Sequence, residues 1–117
     1  MGRMRLYWVG LALAAAGCAA LPQPTPGDVT RAQTAYPGTT LASLSEARTT
    51  YVRTCSGCHA LHVPTEFPPH QWPGYVNEMV TVQKVKLSLE QRRQIEEFLV
   101  VMSETPRTSA QGKPSPL

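Results

Sequence analysis

Leu44-Ser45-Glu46-Ala47-Arg48-Thr49-Thr50-Tyr51-Val52-Arg53-Thr54-Cys55-Ser56-Gly57-Cys58-His59 is the stretch on which the fold turns. Leu44, Ala47, Tyr51, Val52 and Cys55 fall three or four residues apart, the spacing that aligns one face of a helix. Ser43, with Glu46 three residues on, has the form of a capping box and predicts the start of that helix. Two further helices are legible downstream. Trp72, Val76, Met79 and Val80 share a face, and Pro73 suits a first helical turn. Ser88 with Gln91 predicts the start of the last helix, whose apolar stripe is Ile95, Phe98, Leu99 and Met102. Arg92, Arg93, Glu96 and Glu97 are expected to form its solvated face. The Val80-Val82-Val85-Leu87 stretch also reads as extended, which leaves the end of the middle helix open. No series of strands with hairpin turns is present, so the expected class is all-α, with three or more helices.

Around this core the composition changes. Residues 19–42 carry Pro22, Pro24, Pro26 and Pro37 with Gly27 and Gly38, and read as a Pro/Thr-rich tether. Residues 105–117 repeat that composition and read as a disordered tail. The remaining domain, 43–104, is only about 60 residues, a size at which an apolar core is marginal without a metal, a disulfide or a large cofactor. The formal charge of +3 includes Arg3 and Arg5; without them nine Lys/Arg face eight acids. With no basic run and no basic patch interleaved with aromatics, nucleic acid is excluded as the expected partner. No Ser/His/Asp set, convergent carboxylate pair or phosphate-cradling glycine loop points to an enzyme of those classes.

The chemistry is concentrated in Cys55-Ser56-Gly57-Cys58-His59. C-x-x-C-H is the attachment sequence of c-type haem: two thiols about one turn apart each add across a vinyl group, and the adjacent histidine becomes an axial iron ligand. A redox dithiol expects the pair at a helix start in a βαβ setting, whereas here it closes a helix. A zinc site of Cys55, Cys58, His59 and His62 has suitable ligand types, but they are crowded where zinc fingers separate cysteines from histidines by about a dozen residues. His62 is expected to be a loop side chain.

Residues 1–18 read as an export signal. Arg3 and Arg5 precede an apolar run from Leu6 to Ala16, too short to span a bilayer as a helix. Ala15-Ala16-Gly17-Cys18 resembles the lipobox of bacterial lipoproteins, which implies lipidation at Cys18 and a membrane anchor. The cysteines are then accounted for: Cys18 for lipid, Cys55 and Cys58 for haem.

From Ser43 to Glu104 the chain resembles the small monohaem c-type cytochromes of the class I type found in bacterial periplasms. The resemblance rests on Tyr51-x-x-x-Cys55-Ser56-Gly57-Cys58-His59, Pro64, Trp72-Pro73-x-x-Val76-x-x-Met79, Leu87-Ser88-x-x-Gln91 and Ile95-x-x-Phe98-Leu99. It implies first and last helices crossing beside one covalent haem c, with Tyr51 and Val52 meeting Ile95, Phe98 and Leu99. It also implies Met79 as the sixth ligand opposite His59, a position that shares a helix face with Trp72 and Val76. His70, Met102 and an open sixth position are the alternatives. Trp72 is expected to wall the haem pocket, its indole N–H reaching a propionate. The expected function is periplasmic electron transfer rather than catalysis, with another redox protein or a membrane oxidoreductase as partner, or as one subunit of a larger oxidoreductase. The rival is a haem enzyme or gas sensor with an open iron position.

Overall fold

A computed structural model describes residues 21–105. Four helices form: α1 (Pro26–Ala32), α2 (Leu41–Cys55), α3 (Trp72–Thr81) and α4 (Leu89–Ser103), with 3-10 turns at Pro64–Glu66 and Pro69–Gln71. The described residues contain no strand, so they are all-α. No helix among them is long and apolar enough to cross a membrane.

Local chemistry sets the helix starts. The last helix begins as its sequence predicts: Ser88 Oγ accepts from the Gln91 N–H at 3.0 Å, and Gln91 Oε1 accepts from the Ser88 N–H at 2.9 Å. Pro73 lies in the first turn of α3, as expected. Helix α2 starts two residues earlier than Ser43. Thr40 is the cap, its hydroxyl accepting from the Ser43 N–H at 3.0 Å while the Ser43 hydroxyl accepts from the Thr40 N–H at 2.9 Å. Two hydroxyl side chains complete the reciprocal pair that the Ser43/Glu46 reading assigned to a carboxylate.

Helix α4 is the spine. It lies along α2 and also carries α1, α3 and both 3-10 turns. The main core joins Ala47 and Tyr51 of α2, Trp72 and Val76 of α3, and Ile95, Phe98, Leu99 and Met102 of α4. The Tyr51 and Phe98 rings stand 5.7 Å apart. Val52, expected beside them, is half-buried and outside this cluster. Glu97 departs from the expected solvated face: it is 4% exposed, accepts from Arg93 Nη1 at 2.9 Å, and takes a short hydrogen bond from the buried Thr39 hydroxyl. The turn at residues 35–39 covers that side of α4, and at Gly38 its φ of +92° suits a residue without Cβ.

The segment read as a tether also differs. Within it α1 packs Ala32 against Leu44 and Val101 in a second small core. Composition misled here, because Pro26 occupies the first turn, where proline favours a helix, and Thr25 and Asp28 form a capping box. Asp28 is 1% exposed. Its Oδ2 accepts from the Thr25 N–H (2.7 Å) and hydroxyl (2.8 Å), and its Oδ1 from the Thr105 hydroxyl (3.0 Å) and, at short range, Arg31. Burial acts to raise the Asp28 pKa, but these donors outweigh it and hold the carboxyl below its ordinary value. Its ionised form therefore stabilises the fold at pH values above the unfolded pKa near 4, and that contribution is lost as pH falls through the lower folded value. Asp28→Asn is expected to cost about 1–3 kcal/mol at pH 7. In urea unfolding, the gap from wild type should narrow steadily as pH drops below about 4.

Candidate functional site

The end of α2, helix α3 and the segment returning to α4 enclose an apolar cavity of about 370 Å³. Helix α2 presents Tyr51, Thr54 and Cys55 to it, and its last turn ends there: the Ser56 N–H donates to the Val52 carbonyl at 3.2 Å. Ser56, Gly57 and Cys58 continue as a turn rather than as helix, which swings Cys58, His59 and then His62 onto the rim. Both thiols are free, Cys55 half-buried and Cys58 exposed. Burial, and secondarily the neighbouring Cys58, push the Cys55 thiol up, the opposite of the depressed value of a reactive dithiol.

The loop beyond is anchored to the core. The buried Tyr51 donates its hydroxyl to the His62 carbonyl at 2.8 Å, and burial pushes the phenol pKa strongly up. His59 Nδ1 lies 2.7 Å from the Ala60 carbonyl oxygen. A carbonyl only accepts, so Nδ1 is the donor in this contact, and Nε2 is the nitrogen left available to a metal. The His62 ring stands 5.5 Å from His59 and 5.5 Å from Phe67, and its Nδ1 is 3.1 Å from Glu66 Oε2.

Helix α3 forms the facing wall through Trp72, Tyr75, Val76 and Met79, at the three- and four-residue intervals of one helix face. Trp72 is buried, with Phe67 edge-on at 5.2 Å and Tyr75 at 5.9 Å. Its indole N–H does not reach into the cavity for a propionate. It donates at 3.0 Å to the carbonyl of Pro64, the first residue of the 3-10 turn Pro64–Glu66. Beyond α3 the Val82–Leu87 segment is not helical, as its second reading allowed. Val85 and Leu87 line the cavity while Lys84 and Lys86 point to solvent. The Val85 N–H donates to the Met79 carbonyl at 3.0 Å, fixing the methionine backbone against the returning chain. The turn requires φ of +59° at Lys84, in the left-handed region. Lys84→Val is expected to destabilise the protein by about 1–2 kcal/mol, whereas Lys84→Gly is expected to hold or slightly raise the melting temperature in thermal denaturation.

The structure thus brings Cys55, Cys58, His59, Trp72 and Met79 to one cavity. It leaves out the two side chains named as alternatives to Met79. His70 is exposed on the Pro69–Gln71 turn, and Met102 is fully buried in the core. Among the described residues no three His, Cys, Asp or Glu side chains are gathered as a metal ion would need, which disfavours the zinc set of Cys55, Cys58, His59 and His62. Cys18 lies outside the described residues.

The chain matches no family model, no curated protein and no solved structure.

The site therefore stands on its own geometry, and that geometry suits a haem. The wall is apolar, the two thiols lie at its rim, and the lining offers the imidazoles of His59 and His62 and the thioether of Met79 as donors. Sequence reasoning missed Tyr75 and Gln83 on the lining, and the Tyr51 hydroxyl as the hold on the loop. The alternation Val85-Lys86-Leu87 was the signal for the third wall.

Proposed function

We propose that this protein is an exported electron carrier with one haem c joined to Cys55 and Cys58 and axially ligated by His59 and Met79. The observation that carries this reading is a single apolar cavity lined by the C-x-x-C-H motif and by Met79, the one of the two described methionines that reaches it. Bound there, the haem iron supplies one-electron exchange between ferrous and ferric states. The chain's own groups do the rest. Ala60 holds the His59 tautomer, Tyr51 and Trp72 pin the loop that carries the rim, and Val76, Val85, Ile95 and Leu99 exclude water. With His59 and Met79 both holding the group, no position at the metal would be left for a substrate, and the protein would serve as a carrier rather than an enzyme. Its partner would be a redox protein or a membrane oxidoreductase docking near Cys58 and Tyr75, the exposed side of the cavity.

Denaturing electrophoresis with a haem stain, from a host with a cytochrome c maturation system, should give a coloured band at the mature size. A colourless band would end this reading. Carbon monoxide should leave the reduced spectrum unchanged. Rapid binding of the gas would instead favour a sensor or enzyme with an open iron position.

A further inference from the structure

The chain that enters the domain is fastened from its first described residues. Leu21 packs its half-buried side chain against the main core. Arg48, in the middle of α2, donates through Nη2 to the Leu21 carbonyl at 3.1 Å and through Nε to the Pro22 carbonyl at 3.1 Å. A guanidinium holding two successive carbonyls is a directional, charge-assisted clamp. Four residues later Thr25 caps α1, which is itself packed on α2 and α4. No free spacer runs from residue 21 to the domain.

We propose that this domain sits directly against the bilayer, strapped there through residues 21–22, with an acylated Cys18 as the anchor. The inference rests on the lipid anchor that the sequence implies at Cys18 and on the proposed export, and deepens them. Leu21 is three residues beyond Cys18, a covalent reach of at most about 11 Å. A spacer running to residue 40 would have averaged about 25 Å and stretched to about 70 Å. Acyl chains begin at the boundary between headgroups and hydrocarbon, so 11 Å of chain leaves the domain on the headgroup layer. Arg48 precedes Cys55 by seven residues on the same helix, about 10 Å along its axis. The cavity is thereby kept close to the membrane and serves a partner at that surface, rather than one sampled over a long leash.

The test uses the full chain purified from membranes and placed in phosphatidylglycerol/phosphatidylethanolamine bilayers. Mass spectrometry should first show an N-terminus beginning at acylated Cys18; an unmodified chain in the soluble fraction overturns the seating on the membrane. Neutron reflectometry on a supported bilayer should then show no solvent layer thicker than about 10 Å between headgroups and protein. Inserting ten Gly/Ser residues between Ala20 and Leu21 should open one. Equal gaps for the two proteins overturn the proposal. Elastase cuts after small residues, and cutting after Ala19 or Ala20 releases the domain from vesicles. Release should be at least tenfold slower for wild type than for Arg48→Ala, and equal rates count against the strap. If Arg48→Ala fails to fold, the insertion variant still decides, since it leaves the packing of residues 21–105 untouched. The haem spectrum is recorded on the same sample, so a colourless protein that is nonetheless strapped counts against the electron-transfer reading alone.

Discussion

Replacing both Cys55 and Cys58 by serine is expected to give a colourless protein that no longer melts cooperatively near physiological temperature. The cavity these thiols border is apolar and reaches the main core, where Tyr51, Val76, Ile95 and Leu99 are on its lining. Each 100 Å² of apolar wall covered by a porphyrin contributes about 2.5 kcal/mol. A domain of this size has a total stability of only about 5–10 kcal/mol. Loss of the group therefore removes an amount comparable to the whole margin, beyond what serine itself costs at a half-buried and an exposed position. Near-ultraviolet circular dichroism against temperature measures it. A sharp, unshifted transition in the serine variant would show that α2, α3 and α4 hold together without the cofactor, and would remove its structural role.

Met79→Ala is expected to lower the reduction potential by on the order of 100 mV and to abolish the weak sulfur-to-iron charge-transfer band of the oxidised protein. A thioether is a soft, neutral donor that favours ferrous iron, and Met79 is the thioether on the cavity wall. Its backbone is fixed from both sides, by helix α3 and by the Val85 N–H, so the side chain works from a rigid base. His70→Ala is expected to leave both the potential and the band as they are, since His70 sits outside the cavity. A band that survives in Met79→Ala would sink the ligand assignment. Met102→Ala differs again: it hollows the core, with a cost of about 2–5 kcal/mol and no direct effect on the iron.

What the sequence disclosed follows a physical pattern. Periodic apolar residues reported α2, α3 and α4 because a helix that must bury one face repeats its chemistry every turn. Ser88 with Gln91 and Pro73 marked helix starts because those interactions are made within four residues. Leu44 to Cys55 and Ile95 to Met102 thus named most of the core in advance. Contacts between distant parts were hidden. Nothing in the composition of residues 19–42 tells that Asp28 meets Thr105, or that Arg48 holds Leu21 and Pro22, since those hydrogen bonds exist only after the ends come together. Pro26, one of the four prolines that suggested a tether, begins a helix. Glu97 read as solvated because its surroundings along α4 are charged, and the turn that covers it comes 58 residues earlier. For the site, the motif named Cys55, Cys58 and His59, which the fold brings to one cavity, whereas the indole hydrogen bond of Trp72 was settled by a proline carbonyl eight residues away.

The clasp between Asp28 and Thr105 also decides how the molecule bears force. A pull on the chain ahead of Leu21 first loads the two Arg48 hydrogen bonds, then the Thr25–Asp28 cap, then the link from Asp28 to the end of α4. The first and last of these fasten the N-terminal segment to the middle of α2 and to the end of α4, and the cap ties Thr25 to Asp28 between them. None includes Cys55, His59 or Met79. Tension arriving from that end is spent on sacrificial polar links, and the backbone that positions the cavity stays slack until they have given way.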